Sequence, residues 1–152
     1  MTVTRLCYRS TPNFADMTGT LDEEIDRLLL TARRNNARDG VTGALLLAGT
    51  TYFQILEGPQ EAVTYTFRRI ARDRRHMDLT LIDERDDTAR LVPGRSLYFA
   101  DTMDAYDGVL ASLILPIANA PELVSYEDLA SLVMFSANRA ARDTPMLDVM
   151  SA

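Results

Sequence analysis

The sequence predicts an α+β sandwich in which a five-stranded mixed sheet carries two helices on one of its faces. Two observations predict it. Short apolar stretches with a strand pattern alternate with two amphipathic helical stretches, in the order strand, helix, strand, strand, helix, strand, strand. The length of 152 residues and the 47% share of apolar residues also suffice for one compact domain with a small appendage.

The beginning of the chain supplies the first strand and the first helix. Residues 3 to 10 alternate in the manner of a strand, which places Tyr8 on one face and Cys7 on the other. A capping box then predicts a helix from Leu21 to Asn35 with one apolar stripe. The pair Asp39-Gly40 breaks this helix.

Two strands, a second helix and two more strands follow. The apolar run from Val41 to Leu47 is typical of a strand buried on both faces, and a short turn leads into a strand from Thr51 to Glu57. Pro59 stands where the second helix can begin. Four residues mark the buried side of that helix: Val63, Thr66, Phe67 and Ile70. The last two strands are predicted from Met77 to Glu84 and from Ala89 to Ala100, the latter bent at its Pro-Gly pair.

Two β-α-β units that share one sheet give the ferredoxin-like arrangement. We therefore divide the chain into a sheet domain over residues 1 to 100 and a C-terminal cap over residues 101 to 152. The cap is predicted to contain two amphipathic helices, one from Met103 to Leu115 and one that starts near Ser125. They would cover the sheet face that the first two helices leave bare.

The composition excludes several kinds of chemistry. The net charge of −6 and the pI near 4.7 oppose phosphate-driven binding to nucleic acid. All sixteen positive residues are arginine, so no lysine can act as a nucleophile or base. With Cys7 as the one cysteine and His76 as the one histidine, neither a disulfide nor a zinc site can be assembled. Without an evident signal peptide or membrane span, we expect a cytoplasmic protein with no metal and no membrane partner.

Gln54 needs an explanation because it stands among apolar residues in the predicted third strand. A buried amide that lacks hydrogen-bond partners costs about 1 to 3 kcal/mol. The two helices leave a slot over the sheet, which is a common place for a flat apolar ligand. Tyr8, Asn35 and Asn36 reach the same slot. A planar ring with carbonyl and N–H edges would satisfy all of them.

Ordinary structural roles remain open for the same residues. Spacing alone favours Asn36 as a helix C-cap, and a tyrosine on a buried strand commonly bonds a backbone carbonyl. His76 fits a surface or loop position, and Cys7 fits a small core residue. The arginines between Arg68 and Arg75 fit a solvated helix face.

Four separated motifs resemble those of one protein family in order and spacing. They are C-Y-R-S, N-N-A-R-D-G-V-T-G, Y-F-Q-I-L-E-G-P and R-R-I-A-R-D-R-R-H. Over residues 3 to 99 the chain resembles BLUF domains, which are flavin-binding blue-light sensors. The resemblance implies FAD or FMN as the cofactor and a photoreceptor that is not an enzyme. It also implies signalling to a separate effector protein, through a homo-oligomer, or both.

The resemblance further implies a role for each matching residue. Tyr8 matches the photoactive tyrosine that donates an electron to the excited flavin, and Gln54 matches the glutamine between that tyrosine and the flavin N5/O4 edge. Electron and proton transfer from Tyr8 would leave Gln54 rotated or tautomerised, with a red-shifted absorption that decays in the dark. Six further residues match those that hold the flavin: Leu28 and Ile70 at the ring faces, Asn35 and Asn36 at the ring edge, Arg69 at the C2 carbonyl side, and Asp73 near the ribityl chain.

One segment departs from the family pattern. Where the family usually carries Trp and, two residues later, Met, this chain has Arg95 and Leu97. These two positions are expected to pass the signal from Gln54 to the C-terminal helices. An alternative function is therefore a flavin-binding interaction module with impaired signal output. A small acyl- or phosphoryl-transfer enzyme is disfavoured, because the sequence offers no Gly-rich anion loop and no evident pair of nucleophile and base.

Overall fold

The computed structural model describes residues 2 to 101 and 116 to 143. The first predicted helix of the cap, Met103 to Leu115, and the end of the C-terminal tail lie outside the described residues. The eight main elements are β1 (Val3–Pro12), α1 (Leu21–Asp39), β2 (Thr42–Ala48), β3 (Thr51–Gly58), α2 (Gln60–Ala71), β4 (His76–Asp87), β5 (Tyr98–Asp101) and α3 (Tyr126–Asp143). The predicted order of elements is confirmed.

The sheet has the order β4-β1-β3-β2-β5. Its first four strands pair antiparallel, and β5 joins β2 in parallel, so the predicted mixed sheet is confirmed. The pairing places Gln54 at the centre of the sheet, opposite Tyr8 on β1 and Leu45 on β2. Because paired residues point to the same face, these three side chains lie together.

The helices α1 and α2 share the sheet face that carries Tyr8. Residues of α1 pack on Leu45 and Leu47, and residues of α2 pack on Leu6 and Leu56. The other face carries a separate apolar cluster to which α3 contributes three buried residues. These are Leu129, Leu132 and Val133. Both sheet faces are therefore covered by helix within the described part of the chain.

Three predicted boundaries are wrong. The helix α1 runs four residues further than predicted, to Asp39, and ends where Gly40 adopts a left-handed conformation with φ of 72°. Asn36 therefore lies inside the last turns of the helix, and its role as a C-cap is excluded. Strand β4 is longer than predicted and extends to Asp87.

Strand β5 is shorter than predicted and begins only at Tyr98. The backbone before it is held mainly by side chains and by one hydrogen bond from Gly43 of β2, without a regular β ladder. The Glu57 carboxylate accepts hydrogen bonds from the N–H groups of Leu91 and Val92, at 2.6 and 2.8 Å. Arg5 donates to the carbonyl of Ala89 at 2.8 Å. These contacts satisfy backbone groups that a β ladder would otherwise have to pair.

Replacing Gly43 by alanine is expected to lower the free energy of unfolding by about 2 to 3 kcal/mol, as overpacking does in a tight core. A Cβ atom at this position would collide with the carbonyl oxygen of Ile55 on β3, which is backbone and cannot move aside. Urea denaturation followed by circular dichroism measures the change. Gly19→Ala is the control, because its Cβ would meet only the end of the Glu23 side chain. Equal stability of the two variants would contradict the close approach of β2 and β3.

Candidate functional site

A cavity of about 250 Å3 opens between α1, α2 and the sheet. Its lining residues are Leu28, Thr31, Ala32, Asn35, Asn36, Gln54, Arg69, Ile70, Arg72, Asp73, Arg75 and His76. Seven residues that the sequence predicts as cofactor contacts are in this lining. Tyr8 is not, because it lies behind Gln54. The aliphatic side chains of Leu28 and Ile70 come from the two opposing helices, as a ring held between them requires.

Tyr8 and Gln54 form a buried polar pair. Tyr8 is fully buried, and its hydroxyl donates a hydrogen bond to Oε1 of Gln54. The Tyr8 ring meets Phe67 edge-on, with 5.5 Å between the ring centroids. Burial raises the pKa of the Tyr8 hydroxyl well above its usual value of 10. The hydroxyl is therefore protonated at neutral pH and acts as the donor in this bond.

The amide of Gln54 has one end engaged and one end open. Its Oε1 accepts from Tyr8, while its Nε2 makes no hydrogen bond to any described residue. Gln54 is only 3% exposed, and it lines the cavity. The NH2 group of this amide is therefore available to donate a hydrogen bond to an acceptor on a molecule in the cavity.

Asn36 presents a second open polar atom to the cavity. Its Nδ2 donates to the carbonyl of Ser96 at 2.8 Å, which fixes the side chain between α1 and the segment before β5. Its Oδ1 is buried and has no hydrogen-bond partner. An N–H group on a ligand would satisfy this oxygen. The donor end of Gln54 and the acceptor end of Asn36 together fit a planar ring that carries carbonyl and N–H groups on one edge.

Charged residues form the rim of the cavity. Asp73 binds Arg75 through the Arg75 backbone N–H and guanidinium, at 2.9 to 3.1 Å. Burial acts to raise the pKa of the Asp73 carboxyl, but the hydrogen bonds from Arg75 outweigh it and hold the pKa below its usual value. Arg69, Arg72 and Arg75 all line the cavity, so the arginines are not only a solvated face, although Arg72 is exposed as that prediction requires.

His76 does not occupy the surface or loop position that the sequence favours. It begins β4, its Nδ1 lies 2.8 Å from the Ser10 hydroxyl, and its ring lies 5.3 Å from that of Tyr52. Burial lowers the pKa of His76 to about 4, so the ring is neutral at physiological pH. No local pattern signals this placement, because Ser10 and Tyr52 come from two other strands.

Stability is expected to fall by about 2 kcal/mol between pH 6.5 and pH 4.5, since one pKa unit corresponds to about 1.4 kcal/mol. The pKa of His76 is near 4 in the folded protein against 6.5 in the unfolded chain. In this pH window the unfolded chain takes up a proton that the folded protein does not. Urea denaturation at a series of pH values measures the effect, and His76→Gln should flatten the profile. If the free energy of unfolding of His76→Gln falls with pH as steeply as that of the unmodified protein, other groups cause the effect.

Arg95 and Leu97, the two expected output positions, occupy different environments. Leu97 is fully buried on the α1 face of the sheet, in the cluster that contains Leu45. Its carbonyl accepts from the Arg33 guanidinium at 2.9 Å. Arg95 lines a second, smaller cavity on the other side of Asn36. The segment before β5 is thus bound to α1 by hydrogen bonds from Arg33 and Asn36.

The fold and the cavity define a class of protein: an α+β domain that holds a flat, hydrogen-bonding ring between two helices, beside a buried tyrosine–glutamine pair. The family described as BLUF, sensors of blue-light using FAD, matches residues 3–97. The chain belongs to the BLUF family, so the flavin expected from the sequence is the family's cofactor. Among the described residues, no helix has the length and apolar character needed to cross a membrane.

Curated relatives match one part of the chain. The blue light- and temperature-regulated antirepressor BluF of Escherichia coli is 40% identical over 57 residues, which cover 38% of this chain and 14% of that protein. The photoactivated adenylate cyclase subunit beta of Euglena gracilis is 39% identical over 59 residues, which cover 39% of this chain and 7% of that protein. The chain therefore matches only a small share of either relative.

Solved structures match more of the chain. The dark-state structure of the BLUF protein BlrB covers 88% of this chain and 96% of its own, with 28% identity and a TM-score of 0.72. The photo-activated state of BlsA covers 87% of this chain and 91% of its own, with 27% identity and a TM-score of 0.73. BlrP1 of Klebsiella pneumoniae, solved with FMN, covers 72% of this chain and 29% of its own, with 32% identity and a TM-score of 0.62. These matches confirm the predicted fold.

Proposed function

We propose that this protein is a blue-light photoreceptor whose switch is the Tyr8–Gln54 pair. When bound, the flavin supplies the absorption of blue light and an acceptor for one electron. Tyr8 supplies the electron and its hydroxyl proton, and Gln54 relays the proton. After the electron and proton return to Tyr8, Gln54 is left in a changed hydrogen-bonding arrangement. The state decays in the dark without any net covalent change.

The hydrogen bond from Tyr8 to Gln54 Oε1 is the observation that carries this proposal. It connects a fully buried phenol to an amide that lines the cavity. An amide can exchange its donor and acceptor ends by rotation, so one buried glutamine can hold two arrangements of hydrogen bonds. Gln54 Nε2 has no hydrogen-bond partner among the described residues. Rotation of the side chain to the second arrangement therefore breaks no hydrogen bond of this NH2 group.

Eight residues are proposed to position the flavin and its photoactive pair. The aliphatic residues hold the ring faces, the amides hold its polar edge, and the charged residues hold the carbonyl and ribityl groups. They are Leu28 and Ile70 at the faces, Asn35, Asn36 and Gln54 at the edge, Arg69 and Asp73 at the rim, and Tyr8 behind Gln54.

The proposed signal route leads from Gln54 to the segment before β5. Gln54 is paired with Leu45, which packs in one cluster with Leu97. The residue Asn36 lines the same cavity as Gln54 and binds the carbonyl of Ser96. A rotation of Gln54 would therefore act on β5 through both packing and a hydrogen bond. In this proposal residues 1 to 100 sense light, and residues 101 to 152 form a cap that passes the signal to an effector protein or a second copy.

A second candidate is a flavin-binding interaction module with impaired output. It is favoured by the position of Arg95, which lines the smaller cavity and is not among the described residues that line the flavin cavity. In neither candidate does the chain perform enzymatic chemistry itself.

Flavin binding and light-dependent assembly separate these candidates. The purified protein is titrated with FAD and with FMN, and then run on size-exclusion chromatography in darkness and under blue light, alone and with candidate effectors. The sensor binds flavin and changes its elution with light. The impaired module binds flavin, undergoes the photocycle, and elutes identically in both conditions. A protein that binds neither flavin contradicts both.

A further inference from the structure

A second cavity, of about 200 Å3, lies on the side of Asn36 that faces away from Gln54. It is enclosed by the end of α1, the start of β2 and the segment before β5. Its lining residues are Asn36, Ala37, Gly40, Val41, Thr42, Arg90, Gly94, Arg95 and Ser96. Asn36 belongs to the lining of both cavities, so it forms the wall between them.

Arg95 is a buried cation without a counter-ion in the described part of the chain. It is only 7% exposed, and its Nη2 is buried and has no hydrogen-bond partner. Its guanidinium lies over the ring of Tyr98, with 5.5 Å between Cζ and the ring centroid. The stacked ring does not replace hydrogen-bond acceptors in the plane of the guanidinium. A buried guanidinium of this kind is costly unless an acceptor with negative charge is supplied.

A second unpartnered donor belongs to a neighbouring residue that lines the same cavity. The Ser96 hydroxyl is buried and, like Arg95 Nη2, has no partner. The backbone around it is fixed, because the Ser96 carbonyl accepts from Asn36 and the Arg95 carbonyl accepts from the N–H of Gly43 at 3.3 Å. Two unpartnered polar groups therefore belong to adjacent lining residues, on a segment whose backbone is held by hydrogen bonds.

The charge around the cavity is positive. Among the residues that the structure describes, its lining contains two arginines and no aspartate or glutamate. Arg90 is held in place by Thr42 Oγ1 at 2.8 Å and by the Gly40 carbonyl at 3.0 Å. It also donates to the Glu57 backbone carbonyl at 3.3 Å, and all three of its acceptors are neutral oxygens, so its charge adds to that of Arg95. This is a local positive site on a chain whose net charge is −6.

We propose that this cavity binds a small oxoanion, with the Arg95 guanidinium and the Ser96 hydroxyl as its donors. A guanidinium presents parallel N–H groups that match the oxygens of a carboxylate or a phosphate, and such charge-assisted pairs are the strong hydrogen bonds of proteins. Within the described part of the chain, the site shares Asn36 alone with the flavin cavity. The oxoanion would supply the counter-charge that no described residue gives to Arg95.

Isothermal titration calorimetry on the flavin-loaded protein tests this proposal, in a low-salt buffer free of both probes. Sodium phosphate and sodium acetate are titrated separately, so that the two arms distinguish a phosphate from a carboxylate. Saturable binding of one probe per chain is expected. Arg95→Gln should raise its Kd at least about tenfold, as expected for loss of a charge-assisted contact, while Arg68→Gln should leave it within about twofold. Arg68 is an exposed residue of α2 and is not in the described lining of either cavity. Arg68→Gln is therefore the matched control for the loss of one positive charge.

Thermal denaturation provides an independent readout if Arg95→Gln folds poorly. Arg95→Met should raise the melting temperature in the probe-free buffer, because it removes a buried charge without a partner. The probe that binds should raise the melting temperature of the unmodified protein and leave that of Arg95→Met unchanged. The proposal is overturned if neither probe binds, if Arg68→Gln weakens binding as much as Arg95→Gln, or if Arg95→Met responds to the probe as the unmodified protein does.

Discussion

Replacement of Tyr8 by phenylalanine is expected to abolish the light-induced red shift and to leave flavin affinity nearly unchanged. Tyr8 does not line the flavin cavity, and its ring packing on Phe67 is retained by phenylalanine. The change removes the only partner that Gln54 Oε1 has among the described residues, so the amide loses both its proton source and the bond that fixes its orientation. The loss of a buried hydrogen bond should also lower stability by about 1 to 2 kcal/mol.

The measurement is the difference spectrum of the flavin before and after blue illumination, together with a flavin titration followed by fluorescence. Tyr65→Phe is the matched control, because Tyr65 is 60% exposed on α2 and loses only a solvent-facing hydroxyl. The control should retain the full red shift. A Tyr8→Phe protein with an unaltered photocycle would remove Tyr8 from the proposed switch.

Replacement of Glu57 by glutamine is expected to lower the free energy of unfolding by about 3 to 5 kcal/mol, the usual effect of removing one partner of a buried ion pair. Glu57 is fully buried, and its carboxylate receives the Arg5 guanidinium at 2.9 Å. It also accepts the two backbone N–H groups of Leu91 and Val92. A glutamine has one acceptor oxygen for these donors and adds an NH2 group that needs acceptors of its own.

Urea denaturation measures this effect, with Glu61→Gln as the control for loss of a carboxylate on the exposed first turn of α2. The control should change stability by less than about 0.5 kcal/mol, as surface substitutions do. If Glu57→Gln is as stable as its control, the buried network does not hold the segment before β5.

The network around Arg5 and Glu57 also bears on how the sheet domain meets α3. Arg5 donates to Asp87 and to the Tyr126 hydroxyl, each at 3.0 Å, besides its bond to Glu57. One guanidinium thus connects β1, β3, β4 and the first residue of α3. A movement of the segment before β5 would therefore change the contacts of Arg5, which lies on the sheet face opposite to Gln54.

Features set by local pattern could be predicted from the sequence. Alternation along β1 predicts that Tyr8 and Cys7 lie on opposite faces of the sheet. In the structure Tyr8 packs in the cluster beneath α2, and Cys7 packs in the cluster on the α3 face. The Ser125 box at the start of α3 also forms, with hydrogen bonds between Ser125 and Asp128 in both directions at 3.1 and 3.2 Å. These depend on residues within four positions of one another, so they can be read from spacing.

Features set by distant residues could not be predicted. The early part of the predicted fifth strand is a loop because Glu57, more than thirty residues earlier, takes its backbone donors. His76 is partly buried because Ser10 and Tyr52 lie beside it in the folded sheet. Asn36 fits the pattern of a helix C-cap, yet the bond to the Ser96 carbonyl holds it inside the cavity wall. In each case the deciding partner comes from another element.

The absorption spectrum of the flavin-loaded protein, recorded before and after one blue flash, tests the central claim most directly. We expect a yellow protein whose flavin absorption band moves slightly to longer wavelength after the flash and returns fully to its original position in the dark. A change in the Gln54 hydrogen bonds alters the ring's surroundings without altering its covalent structure. A flavin-loaded protein whose spectrum is identical before and after the flash would contradict the proposed Tyr8–Gln54 switch.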